Sequence, residues 1–225
     1  MSHYAVAVFS DDLDFDRLLA PYNECNEDEF VFEPVDPDVI MEDFAKFKEQ
    51  NPSWTLEMYI KDFGYIQENG QWGYRHNPHG YWDWYSLDGK SFLFELKEGV
   101  CLPEDEQEFR KNDYDWYKVD PDETQEAEEF WDGFVLEGDP EMESIFRREY
   151  YLERFKTKDQ YVKEASRTIP YAFITPDGEW HSAGRVGWFA CSDETAESAD
   201  KYAEEWYAYL KSDGNPYVNL VDCHI

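Results

Sequence analysis

A formal charge of −32 on 225 residues, with 52 Asp and Glu against 20 Lys and Arg, leaves the aromatic residues to supply any interior this chain can build. Unpaired carboxylates stay in water, and high charge with low hydrophobicity is ordinarily the composition of a disordered chain. Here 9 Trp, 17 Tyr and 16 Phe recur at regular spacing. Each such ring removes roughly 150–250 Å² from water when buried. A folded chain with a bulky aromatic core is therefore expected, long enough for one large domain or two small ones without disulfide or metal staples.

The same charge opposes attraction to phosphate backbones and anionic membranes, so neither direct nucleic-acid binding nor a membrane is expected. Self-repulsion should make stability depend on ionic strength. A solvated surface, adaptation to a salty cytoplasm, and imitation of nucleic acid toward a basic partner each account for such acidity. Cys25, Cys101, Cys191 and Cys223 are far apart and form no CxxC pair, which reads as reduced thiols. The opening MSHYAVAVFSDD has no basic region before its apolar run, and no segment approaches the roughly 20 apolar residues of a membrane helix. A cytoplasmic location is the expectation.

Hydrophobic periodicity predicts a buried strand at YAVAVF (residues 4–9), then a short helix capped by Asp11 or Asp12 and stopped at Pro21. A second strand is predicted at FVFEPV (30–35). An amphipathic helix follows from Pro37 to about Asn51, and another begins at Ser53. The segment GYWDWYSLDGKSFLFELK alternates large and polar groups around Asp88-Gly89, the pattern of a β-hairpin. Residues 104–166 read as a mainly helical, acidic insertion. Strands return at YAFIT (171–175) and VGWFA (186–190), which are expected to pair. A helix burying Ala199, Tyr202, Ala203, Trp206 and Leu210 precedes the terminal strand YVNLVDCHI. The expected architecture is one α+β domain over 1–225, with a mixed or antiparallel sheet, packed helices and the acidic insertion.

The insertion contains the most concentrated charge. Residues 104–143 hold 17 acids against Arg110, Lys111 and Lys118. Within it, Asp122, Glu123, Glu126, Glu128, Glu129 and Asp132 fall on one predicted helix. Those ten steps span about 15 Å at 1.5 Å per residue, one charge every ~3 Å, against one per ~1.7 Å of duplex DNA. At 100° per residue Ala127, Phe130, Trp131 and Phe134 share one side. Five of the acids lie on the other, Glu123 being the exception. Asp122, Glu126, Glu129 and Asp132 are accordingly the candidate partner-binding residues.

Chemistry-bearing motifs are sparse. No GxSxG, P-loop, GxGxxG or HExxH is present, and among 52 acids carboxylate pairs arise by chance. His76 and His79 flank an Asn-Pro turn, but two ligands are not a metal site. Asp222 and His224 share one face of a strand, and His181 follows the TPDGEW turn, so a site of these three with a water is geometrically conceivable. Trp82 and Trp84 should share a strand face, either as core or as a platform for a planar ligand. The candidate ligand-binding set is Trp82, Trp84, Trp180, His181, Asp222 and His224. No catalytic residue, metal or cofactor is assigned.

SHYAVAVF, LLAPYNE, the NP…WDWY block, TPDGEWHSAGRVGWF and the terminal VDCHI together resemble a family of uncharacterised proteins found mostly in bacteriophages and some of their bacterial hosts. Members of that family often follow WDWY with a Gly-Gly-Arg-Trp stretch, where this chain has Ser86-Leu87-Asp88-Gly89-Lys90. The resemblance implies a phage-type setting and carries no catalytic residues. The leading expectation is a nonenzymatic accessory protein that binds a host defence or nucleic-acid-handling factor through the acidic surface. A small-molecule- or metal-binding protein or enzyme with an aromatic pocket is one alternative, and a structural virion component is the other.

Overall fold

The computed structural model describes residues 3–100, 108–117, 121–140, 142, 144, 146–166, 168–185 and 192–225. The protein is α+β, with one mixed sheet and one antiparallel sheet. The chain divides into two compact units, Met1–Leu18 with Tyr85–Ile225, and Leu19–Trp84. Among the described residues no helix is long and apolar enough to cross a membrane.

The first unit is built on β1 (His3–Ser10), whose apolar run is buried from Tyr4 onward. A strand apolar on both faces belongs inside a sheet, and β1 is central in the order β5-β8-β1-β6-β7. It runs antiparallel to β8 (Tyr217–His224) over all eight residues and parallel to β6 (Ala172–Ile174). The Thr175–Gly178 turn, with Gly178 at a φ of 89°, then brings β7 (Trp180–Ser182) antiparallel to β6. β6 therefore has β1 on one edge and β7 on the other. The VGWFA run expected to pair with it lies outside the described residues. After β1, α1 (Phe15–Leu19) is initiated by Asp14, which accepts from the Arg17 amide, rather than by Asp11 or Asp12.

One face of this sheet receives α7 (Ala196–Lys211). Thr195 opens it with a capping box, accepting from the Ser198 amide at 3.1 Å while Ser198 Oγ accepts from the Thr195 amide at 2.9 Å. Ala199, Tyr202, Ala203, Trp206 and Leu210 form the buried stripe, as the helical spacing predicts. Trp206 is completely buried, its ring 6.0 Å from Phe9, 5.4 Å from Phe173 and 5.4 Å from Trp116. At the other end of α7 stands Lys111, only 2% exposed. Its Nζ donates to the Ser212 carbonyl at 2.8 Å, just past the helix, and to the Tyr209 carbonyl at 3.4 Å, which also accepts from the Ser212 amide. Burial lowers its pKa from the ordinary lysine value.

The helical section of this unit comprises α4 (Pro121–Phe130), a π-helical continuation Trp131–Glu137, α5 (Arg148–Arg154) and α6 (Lys158–Ala165). They close around Trp131, Val135 and Phe155, with Phe130, Phe134, Tyr151 and Tyr161 packed on that cluster.

The hairpin expected at Asp88-Gly89 does not form. β5 (Trp84–Ser86) runs into a single 3₁₀ turn, Ser91–Leu93, because β8 captures the segment. Asn219 Oδ1 accepts from the Asp88 amide at 2.8 Å, and the Leu220 carbonyl accepts from Lys90 at 3.0 Å. A Cβ on Gly89 would stand 2.6 Å from Asp222 Cβ. The Asp-Gly pair thus permits close approach to β8 instead of reversing a ribbon.

The second unit holds an antiparallel sheet in the order β2 (Val31–Pro34), β4 (Gln71–His76), β3 (Ile66–Glu68). β3 and β4 are joined by Asn69-Gly70 at φ of 49° and 82°, the two-residue turn favoured in hairpins. α2 (Pro37–Gln50) is capped by Asp36 and α3 (Leu56–Asp62) by Thr55. Ile40, Phe44 and Tyr59 form the core between them, packed by Phe47, Trp54 and Trp72. Asn77 is buried and donates to the Pro21 carbonyl at 2.7 Å and the Asn23 carbonyl at 2.9 Å, which gives the Asn-Pro turn a structural role.

Gly89→Ala is expected to destabilise the protein by about 1–3 kcal/mol through overpacking against β8. Equilibrium urea unfolding measures it, and an unchanged midpoint would remove the close-approach explanation.

Candidate functional site

Asp122, Glu123, Glu126, Glu128, Glu129 and Asp132 are all exposed, while Ala127, Trp131 and Val135 are buried and Phe130 and Phe134 half-buried. The helix thus points its aromatics inward and its carboxylates outward. Its inner stripe departs from a 100° projection after Phe130, because the wider π turn brings Val135 rather than Phe134 to the centre of the cluster. Phe130 and Phe134 stack instead, at 5.0 Å. The carboxylate face also has a counter-ion. Lys158 Nζ lies 2.7 Å from Asp132 and 4.0 Å from Glu128, and the Asp132 hydrogen bond leads in raising the lysine's pKa. Gln125 donates to Glu129 at 2.7 Å. The acids Glu104, Asp105 and Glu106 lie outside the described residues.

The aromatic and histidine candidates are divided between the two units. Trp82 and Trp84 belong to the second unit's span, where Trp82 is buried and Trp84 is 53% exposed. Trp82 precedes β5 and bridges to Asn23, so the two-residue alternation that would align the rings does not extend to it. Trp180 and His181 lie on β7, the sheet's edge strand. The His181 ring stacks on Phe173 at 4.5 Å, between Glu205 at 3.7 Å and Glu179 at 3.8 Å. Asp222 and His224 lie on β8, three strand steps away, roughly 14 Å at ~4.8 Å per step. Asp222 is held between His3 at 3.1 Å and Lys90 at 3.2 Å, and His224 meets His3 edge-on at 5.1 Å. His181 therefore does not converge with Asp222 and His224. Among the described residues no three His, Cys, Asp or Glu side chains stand where they could hold a metal ion. Cys25 is an exposed thiol, Cys223 is a buried one whose pKa burial pushes up, and Cys101 and Cys191 lie outside the described residues.

A second arrangement was not signalled by any motif. Arg154 ends α5, and its Nη2 donates to Glu164 Oε1 of α6 at 2.7 Å and to Glu194 Oε1, just ahead of α7. Nη1 donates to Tyr150 Oη at 2.8 Å, and the guanidinium carbon lies 5.4 Å from the Phe155 ring centroid. Burial works against the guanidinium's charge, but Glu164, Glu194 and Tyr150 outweigh it and hold the pKa above the ordinary arginine value. The Glu164 pKa is also raised, which for a carboxyl disfavours the charged form. Burial raises its pKa, Arg154 lowers it only in part, and Glu194 and Asp200 raise it further. Clefts open on both sides of Glu164, one toward Tyr171 and Ala183 and one toward Lys156 and Glu197. In a chain with 52 acids, a pairing across ten and forty residues has no signature to read.

Comparison of the chain with protein-family profiles, with curated proteins and with solved structures yields no match.

Removing one partner of a half-buried ion pair strands the other, so Arg154→Gln should lose roughly 1–3 kcal/mol of stability. Combining it with Glu164→Gln should recover part of that loss in urea unfolding, and additive losses would contradict the pairing. Glu164 also has a pH signature. Its folded pKa lies above the ordinary 4.5, so the native state keeps this proton to higher pH than the unfolded chain does. That contribution favours the fold below pH 4.5 and is lost as the pH rises through the folded value. Glu164→Gln should therefore gain stability relative to wild type from pH 4.5 toward neutrality, and a constant difference would refute the shift.

Proposed function

We propose that this protein is a nonenzymatic accessory protein of a phage-type setting that acts in the host cytoplasm by binding a host protein with a basic surface. The partner's chemistry is that of a defence or nucleic-acid-handling factor, whose cationic groove the α4 face occupies in place of a phosphate backbone. One observation supports the reading: six carboxylates of residues 122–132 are exposed on one helix whose aromatic underside anchors it to the fold. A charge every ~3 Å along such a helix is more than half the linear density of duplex DNA, at one per ~1.7 Å. Fixed carboxylates of this kind attract a cationic groove with strong salt dependence. Lys158 sets a limit, since it already neutralises part of the face at Asp132 and Glu128.

The test is retention of host proteins by the immobilised chain at increasing salt, with duplex DNA as competitor. A retained partner should elute as salt rises and be displaced by DNA. The triple variant Glu126→Lys, Glu129→Lys, Asp132→Lys should lose it. Retention unchanged by the triple reversal would sink the reading.

A further inference from the structure

The cleft beside Glu164 has the make-up of a receptor for a positively charged group on an apolar stem. It holds about 280 Å³ between α6, the segment leading into β6, Ala183 just past β7, and the start of α7, lined by the carboxylates of Glu164 and Glu194 and by Ile169, Pro170, Ala183 and Ala199 among its apolar walls. Two tyrosines also line it, but both hydroxyls are engaged with backbone. Tyr202 Oη donates to the Pro170 carbonyl at 2.7 Å and Tyr171 Oη to the Gly184 carbonyl at 2.6 Å. The tyrosines therefore contribute mainly ring surface, and the charge of the cleft comes from the two glutamates.

Among the described residues the pairing is uneven: a single nitrogen, Arg154 Nη2, serves one oxygen of each of the two carboxylates. Asp200 adds a further negative charge near Glu164, its own neighbour Lys163 standing 3.8 Å away on the exposed side. Excess negative charge in a partly dehydrated cleft is unfavourable until a second cation arrives, and the interaction is strengthened by the same dehydration. The volume lies just below the roughly 300–1,000 Å³ of drug-sized ligand sites, which suits a group of side-chain size and excludes a nucleotide.

We propose that this cleft binds an alkylammonium or guanidinium group on a short apolar stem, presented either by a free amine or by a lysine or arginine side chain. The cation completes the pairing of Glu164 and Glu194 alongside Arg154, and its methylene stem lies against Ile169, Pro170 and Ala183. This site does not depend on the α4 face, and the two readings fail separately.

Calorimetric titration of the full chain with pentylamine, with agmatine and with an acetylated, amidated Gly-Lys-Gly tripeptide tests the proposal, with pentanol as the uncharged control. Saturable binding of the amines and none of pentanol is expected. Glu164→Gln should weaken it about tenfold, as loss of one hydrogen bond to a charged group predicts. Ala183→Leu should abolish it by filling the cleft without altering charge, with melting curves confirming that each variant is folded. Glu126→Gln, on α4, should leave it unchanged. The tripeptide binding as tightly as the free amines assigns the site to a partner's side chain, and weaker tripeptide binding assigns it to a free amine. Absence of saturable binding, or equal weakening by Glu126→Gln and Glu164→Gln, would overturn the proposal in favour of diffuse surface charge.

Discussion

The contact between a neutral ring and a sheet holds the larger unit together against its own charge. Trp206 of α7 meets Phe9 of β1, Phe173 of β6 and Trp116 at ring separations of 5.4–6.0 Å. Pairs of this kind contribute about 0.5–1.5 kcal/mol each beyond the area they bury. No electrostatic gain of comparable reliability is open to a chain with a formal charge of −32, since exposed ion pairs contribute about 0–1 kcal/mol. The aromatic interior is therefore the means by which an acidic surface is tolerated, and α4 repeats the arrangement on a smaller scale over Trp131, Val135 and Phe155.

Basic residues are scarce here, and among the described residues Lys111 is buried and Arg154 half-buried. Lys111 meets the carbonyl end of α7, where partial negative charge accumulates. Arg154 instead faces two carboxylates. The first arrangement completes a helix end and leaves nothing over. The second leaves two carboxylates sharing one guanidinium beside an open cleft, which is the basis of the proposed cation site.

Much of this was legible wherever local pattern and burial agree. β1, α2 and α7 follow from an apolar run, an Asp-Pro start and a five-residue stripe, and the structure reproduces each. Pattern failed where tertiary partners decided the outcome. Asp88-Gly89 and Asn69-Gly70 are both good two-residue turns by composition, yet only the second makes a hairpin, because Asn219 and Leu220 claim the backbone around the first. Asp222 was expected on the terminal strand and His181 just past the TPDGEW turn, but sequence does not reveal that β6 and β1 come between them. The outward carboxylates of α4 were readable from helical spacing. The Arg154 arrangement was not, since it joins three elements through single side chains.

The register of β1 against β8 bears on how the chain must be made. The two strands pair residue for residue from His3↔His224 to Ser10↔Tyr217, across roughly 200 intervening residues. A ribosome adding about 5–20 residues per second leaves β1 waiting roughly 10–40 s for that neighbour, and nearly as long for β6. During that interval an apolar strand with two open edges is the kind of segment that captures other chains. Asp11, Asp12, Asp14 and Asp16 follow it directly. Charges flanking an apolar strand are the usual obstacle to such capture, so the acidity that burdens the finished fold is of the kind that keeps an unpartnered strand apart from its like.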